Sequence, residues 1–275
     1  MGKMVECVRW LIPLLALTVT TAHAESPKVV RLAVVNTPQY SGLLDALLPG
    51  FEAASGLTVS VYSGNDAFQQ ARNGKADIVI AHYGKKEVES FVLEGYGSWP
   101  KMVFANQAAL IGPKSDPAGI RGLPNASGAL NRIATAKALF VANPQPGVQY
   151  LTSILWEMAG RPGKGDWFVE TDRVQAAAAL LAEEKQGYFI WGAYPFLRFA
   201  SQRESRLEIL VSEDPLLQRT MAAVIVNTQK VKGVNVEGAT ALRDYLLSPQ
   251  TQARIAAFRS PWSDKQLWWP AGRDN

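Results

Sequence analysis

Three short polar clusters each follow a β-branched, apolar run: Asn36 and Thr37, then Ser63, Gly64, Asn65 and Asp66, then His82 and Tyr83. Hydroxyls, carboxamides and free backbone N–H groups at such points hold a small ligand by hydrogen bonds, without covalent chemistry. Reactive groups are scarce. The chain has a single cysteine, Cys7, and two histidines, His23 and His82. Loss of an N-terminal leader of 24 residues would leave His82 as the last histidine and no cysteine. A multi-histidine metal site is then excluded, as are disulfides and thiolate catalysis, and any Ser-His-Asp machinery must use His82. No nucleophile motif accompanies it, so it reads as a turn anchor at the end of a buried strand. The expectation is no catalytic residue, no metal and no cofactor. Asp66 suits a ligand ammonium and a turn or helix cap equally, and Asp77 reads as structural, at a strand entrance.

The leader is read from Lys3 and Arg9, the short apolar run Trp10–Val19 and the small-x-small Ala22-His23-Ala24. That run is too short to cross a bilayer, so export to the periplasm with cleavage after Ala24 is expected. Lys3, Arg9 and Glu6 leave with it, which takes the formal net charge from +4 to +3. The remaining charges are scattered, with no basic block, so nucleic acid is excluded as a partner. The remaining 251 of 275 residues suffice for two medium lobes, each with its own core.

Strand and helix alternate through the first half. Val29–Val35 reads as a strand, Ser41–Leu48 as a helix that Pro49 restarts to Ser55, and Gly56 as its stop. Strand Leu57–Tyr62, a helix near Asp66–Asn73, strand Ala76–Ala81 and helix Glu87–Glu94 follow. This rhythm predicts an α/β fold with a doubly wound, mainly parallel sheet, its ligand beyond the carboxyl ends of the strands. Ala108–Gly112 is placed as a crossing into a second set of elements: helix Gly128–Ala138, strand Leu139–Val141, helices Val148–Ala159 and Arg173–Glu184, and strands Tyr188–Ile190 and Leu207–Val211. Met221–Asn227 is the return crossing, and helices Val236–Leu247 and Pro249–Phe258 close the first lobe. The expected domains are 25–110 plus 222–275 and 111–221, with a ligand cleft between them. Trp262, Trp268 and Trp269 are expected to pin the tail onto the first lobe.

In this order, SGLLDALLPGFEAASGLTV (41–59), NGKADIVIAH (73–82), VLEGYG (92–97), IGPKSDPAGIRGL (111–123), LWEMAG (155–160), DPLL (214–217) and SPQTQARIAAF (248–258) span nearly the whole chain beyond the leader. With them the sequence resembles the periplasmic tungstate-binding proteins of ABC importers, within the two-lobed solute-binding superfamily. The resemblance implies a monomer that delivers a small-molecule or oxyanion ligand to an inner-membrane ABC permease. It also implies oxyanion binding by serine and threonine hydroxyls, backbone amides and arginine.

Those donors are altered here. The family's first turn is a Thr/Ser run where this chain has Val35-Asn36-Thr37-Pro38, and its Gly-Thr-Gly-rich second turn is Ser63-Gly64-Asn65-Asp66. Its Ser-Arg-Gly-Asp-Asp-Ser-Gly-Thr segment aligns with 141–148, VANPQPGV, and its Thr-Asp-Arg with Gly192-Ala193-Tyr194. Four lost charge-assisted hydrogen bonds amount to about 6 kcal/mol, or roughly 10⁴ in affinity. Tight tungstate binding is therefore not expected. The resemblance leaves Asn36, Thr37, Ser63, Gly64, Asn65, Asn143, Gln145, Arg173 and Tyr194 as ligand residues, with Gln149, Tyr83 and Trp191 beside them and Arg173 as the surviving cation. An oxyanion and a small polar organic solute both remain open as ligands. The alternative function is a ligand-sensing or interaction module that kept the fold and lost oxyanion binding.

Overall fold

The computed structural model describes residues 1–2, 28–261 and 263–271. Most of the expected leader, with Cys7 and His23, lies outside the described residues, as does Trp262. Strand β1 (Val29–Val34) runs parallel to β2 (Thr58–Ser63) on one side and β3 (Ile78–His82) on the other. Between them lie α1 (Asn36–Tyr40), α2 (Leu43–Ser55) and α3 (Ala67–Arg72), and α4 (Lys86–Leu93) leads on to β4 (Lys101–Pro113).

The next elements are α5 (Ala126–Thr135), β5 (Phe140–Val141), α6 (Pro146–Met158), β6 (Phe168–Val169), α7 (Ala176–Glu184), β7 (Phe189–Gly192), α8 (Ala193–Ser201) and β8 (Leu207–Val211). A 3₁₀ turn at Pro215–Leu217 precedes β9 (Gln218–Ile225), and α9 (Val236–Leu247), α10 (Pro249–Ala257) and β10 (Trp269–Pro270) end the described chain.

The fold is α/β and two-lobed, of the periplasmic-binding-protein kind. The parallel unit β2-β1-β3 is extended by β9 and β4, both antiparallel to their neighbours. Strand β4 changes partners midway: Lys101–Gln107 pairs with β9, and Ala108–Pro113 with β7 and β8.

Three expectations need correction. The stretch Asn36-Thr37-Pro38 is not a loop before a helix that begins at Ser41. It is the first turn of α1, where Pro38 has no intrahelical N–H to lose. Ser41 is the C-cap residue of α1, buried, and donates from Oγ to the carbonyl of Pro38. Gly42, at φ +79°, then turns the chain into α2, a conformation that costs a residue with Cβ roughly 1–2 kcal/mol. The second correction is α8, which the periodicity did not reveal: Tyr194-Pro195 at its start masks the pattern. Pro49 lies inside α2 rather than restarting it, and Gly56 is its C-cap as expected.

Helix α2 turns Leu43, Leu44, Leu47, Leu48 and Phe51 into the core, each contributing about 1.5–3 kcal/mol. Trp268 is fully buried with its ring edge-on to Phe104, which fixes the tail against β4. Asp77 is also fully buried. It accepts from the backbone N–H, Nε and Nη2 of Arg31 and from the N–H of Asn235, tying β1, the entrance to β3 and the start of α9 together. Asp77→Ala orphans all these donors and should cost about 3 kcal/mol. Urea denaturation should show a lower midpoint at unchanged m-value.

Candidate ligand-binding site

The rim formed by β3, β9 and β4 follows from strand register. Asn106 of β4 stands opposite Arg219 of β9, and Gln107 opposite Gln218. His82, at the end of β3, reaches Asn106 across β9, with Nε2 3.3 Å from Oδ1. Two adjacent polar residues in the middle of β4, and an arginine two residues before the apolar run of β9, thus meet at one place.

Above this rim lies a cavity of about 600 Å³. The first residues of α1, α6, α7 and α8 face it, together with Lys85 and Glu87 at the start of α4. None of these helices has a side-chain cap, whereas α5, α9 and α10 are capped by Asn125, Asn235 and Ser248. The first-turn N–H groups facing the cavity are therefore left without side-chain acceptors, and the dipoles of the longer helices α6, α7 and α8 add positive potential there. At the start of α7, Gln175 holds φ +53°, a left-handed conformation that costs a non-glycine residue about 1–3 kcal/mol.

Charge in the cavity is one-sided. Lys85, Arg198 and Arg219 line it, and Glu87 is the one carboxylate among the lining residues. None of the three cations forms an ion pair with a carboxylate among the described residues. Arg219 donates from Nη1 to the carbonyl of Gly147 at 2.8 Å. A Cβ on Gly147 would lie 2.9 Å from Nη2, so glycine is what admits the guanidinium to the first turn of α6. Burial lowers the pKa of Arg219, opposed by Tyr150, but an arginine stays charged in a protein, so its charge is met here by a carbonyl dipole and not by a carboxylate. Burial also lowers Lys85, as does Arg219, while Glu87 acts the other way. The pKa of His82 falls well below its usual value through burial and then through Arg219 and Lys85, opposed by its bond to Asn106. Its imidazole is neutral. Gln107, 6% exposed, has Nε2 without a partner, and Oε1 of Gln145 is likewise unmatched.

Of the residues expected from sequence, Asn36, Thr37, Asn65, Gln145 and Tyr194 line the cavity, as does Trp191. Ser63, Gly64, Asn143 and Arg173 do not. Ser63 donates to Oδ1 of Asn36 at 3.1 Å and so directs the amide of Asn36. Gly64 closes the turn after β2 through its N–H to the carbonyl of Val34. Asn143 is buried and spends both ends of its carboxamide on Ile190 and Gln145. Arg173 is exposed and precedes α7 rather than opening it. Asp66 is occupied outside the cavity, by Tyr62 and Gln70. Tyr83 and Gln149 are also absent from the lining.

Residues 32–258 match the family model of bacterial extracellular solute-binding proteins. The chain belongs to that family. Among similar members, the tungstate-binding protein TupA of Peptoclostridium acidaminophilum is 32% identical over 234 residues, 83% of this chain and 81% of that one. The solved structure of the tungstate-binding protein TupA from Desulfovibrio alaskensis superposes with a TM-score of 0.80 at 27% identity, covering 90% of this chain and all of that one. That of the tungstate ABC transporter from Geobacter sulfurreducens gives 0.71 at 29% identity, covering 84% and 98%.

The neutral His82 has a consequence for stability. The unfolded chain takes up a proton below about pH 6.5, and the folded one does so only at lower pH. Stability should therefore decline as pH falls from 6.5, by at most about 1.4 kcal/mol per unit. Chemical denaturation at pH 6.5 and 5.5 should show the decline in the parent, and His82→Asn should remove one proton's share of it.

Proposed function

We propose that this protein is the periplasmic receptor of an ABC importer and binds an anion in a cleft between its two lobes. The carrying observation is Arg219, a half-buried guanidinium without a carboxylate partner among the described residues, beside Lys85 and the uncapped start of α6. An arriving anion supplies the missing counter-charge and accepts from the free Nη2 and from Nε2 of Gln107. The names of its relatives support an oxyanion as one such ligand.

The change of partners within β4 at Gln107/Ala108, and the start of β9 at Gln218, support lobes of 28–107 plus 218–271 and 108–217. These limits shift the expected crossings by a few residues. Delivery to an inner-membrane permease, a cleaved leader, a monomeric state and the absence of catalysis belong to the same reading.

A sensing or interaction module is the second reading, favoured by the internal use of Asn143 and Ser63. Calorimetric titration with tungstate, molybdate, sulfate and simple carboxylates separates the two. Saturable one-to-one binding of at least one anion is expected, with a rise in melting temperature equivalent to about 2.7 kcal/mol at a hundredfold excess over Kd. Arg219→Gln should weaken it by about 10–100-fold, the loss of a charge-assisted bond of ~1.5–3 kcal/mol. Gly147→Ala displaces the guanidinium and should weaken binding in the same direction by less. Binding of no anion at all overturns the receptor reading.

A further inference from the structure

We infer that the ligand is an organic anion, with a carboxylate head, an apolar ring or chain and a hydrogen-bond donor of its own; this rests on the anion-receptor reading above. A bare tetrahedral oxyanion has five heavy atoms. At a water's share of roughly 30 Å³ each it fills on the order of 150 Å³, against a cavity of about 600 Å³. Cavities of that size, about 300–1,000 Å³, are those that enclose small organic molecules.

The lining offers both things such a molecule requires. Donors and cations come from the start of α4, β4 and β9, with Lys85, Gln107 and Arg219, and Arg198 of α8 adds a third cation. Aromatic surface comes from β7 and α8: Trp191, Tyr194 and Phe199. Trp191 is held rigid by Phe189 and Phe199, with centroids 6.4 and 6.1 Å away. A rigid aromatic face gives nothing to a hydrated oxyanion but takes up the apolar body of an organic acid. The unmatched Oε1 of Gln145 accepts, and a fully deprotonated oxyanion has no proton to offer it. A ligand hydroxyl satisfies it.

The test compares tungstate, benzoate and 4-hydroxybenzoate on the full mature chain by calorimetry. Both aromatic acids should bind, 4-hydroxybenzoate about tenfold more tightly, the value of one neutral hydrogen bond. Trp191→Ala should lower the affinity ratio of 4-hydroxybenzoate to tungstate at least tenfold. Phe199→Ala, at a half-buried position, serves the same purpose if the tryptophan variant fails to fold. Gln145→Leu should bring 4-hydroxybenzoate down to benzoate. Tungstate binding without either aromatic acid overturns this inference and upholds the anion reading. Failure of all three, and of the wider anion set, overturns both. Aromatic-acid binding that is unmoved by Trp191→Ala and Phe199→Ala also overturns the inference, because the body then lies elsewhere.

Discussion

One strand belongs to two halves of the molecule. At about 3.3 Å per residue, the 13 residues of β4 extend roughly 40 Å. They are hydrogen-bonded to β9 at one end and to β7 and β8 at the other. The change of partner leaves the middle of the strand as the point where both sheets meet, and Asn106 and Gln107 occupy it. Both are buried there, between the apolar core residues Ala105 and Ala108. The register with β9 then dictates that residue 219 stands opposite residue 106. The topology thus brings the polar residues of β4 and β9 together at the floor of the cavity, and their side chains set its chemistry.

That chemistry favours negative charge by leaving positive charge uncompensated. The structure satisfies buried ions elsewhere: Asp77 by Arg31, and Glu183 by Arg203, Ser205 and the N–H of Arg206. Helices α5, α9 and α10, away from the cavity, are capped by asparagine or serine. Around the cavity both practices are suspended, and the unmet demand of Arg219 and of the helix N-termini is concentrated in one volume. The chain thus gives up some stability at the place where a ligand can restore it.

Much of this was legible in the residues. The β-α alternation of the first half, the helices closing the chain, and the polar groups after β1 and β2 follow from apolar period and glycine punctuation. Strand Leu207–Val211 and helix Val236–Leu247 fall where the periodicity places them. Asn36, Thr37 and Asn65 were accessible because they lie just beyond recognisable strands, whereas Gln145 and Tyr194 were reached through the family resemblance. Arg219 and Lys85 were not. Residue-by-residue correspondence with a family turn looks for a cation where the relatives have one, whereas here the charge enters from β9 and α4, on the opposite side. Arg173 shows the converse: a plausible helix start moved three residues along, and the side chain went to solvent. The signals that could have found Arg219 were the arginine two residues before the apolar run of β9 and the Asn-Gln pair inside β4. Both are polar interruptions of a buried strand.

Across the mouth of the cavity, Tyr194 on α8 donates its hydroxyl to the backbone carbonyl of Tyr40 on α1, and Arg198 stands 5.9 Å from the Tyr40 ring. One hydrogen bond and one exposed cation–π contact together contribute about 1–2 kcal/mol. The bond from Arg219 on β9 to Gly147 on α6 links the same two parts of the molecule from inside the cavity. In the receptor reading proposed above, an anion that draws Arg219 to itself also acts on that inner link. Selectivity is then expressed as a dwell time, because the cargo that best engages the floor of the cavity is held longest.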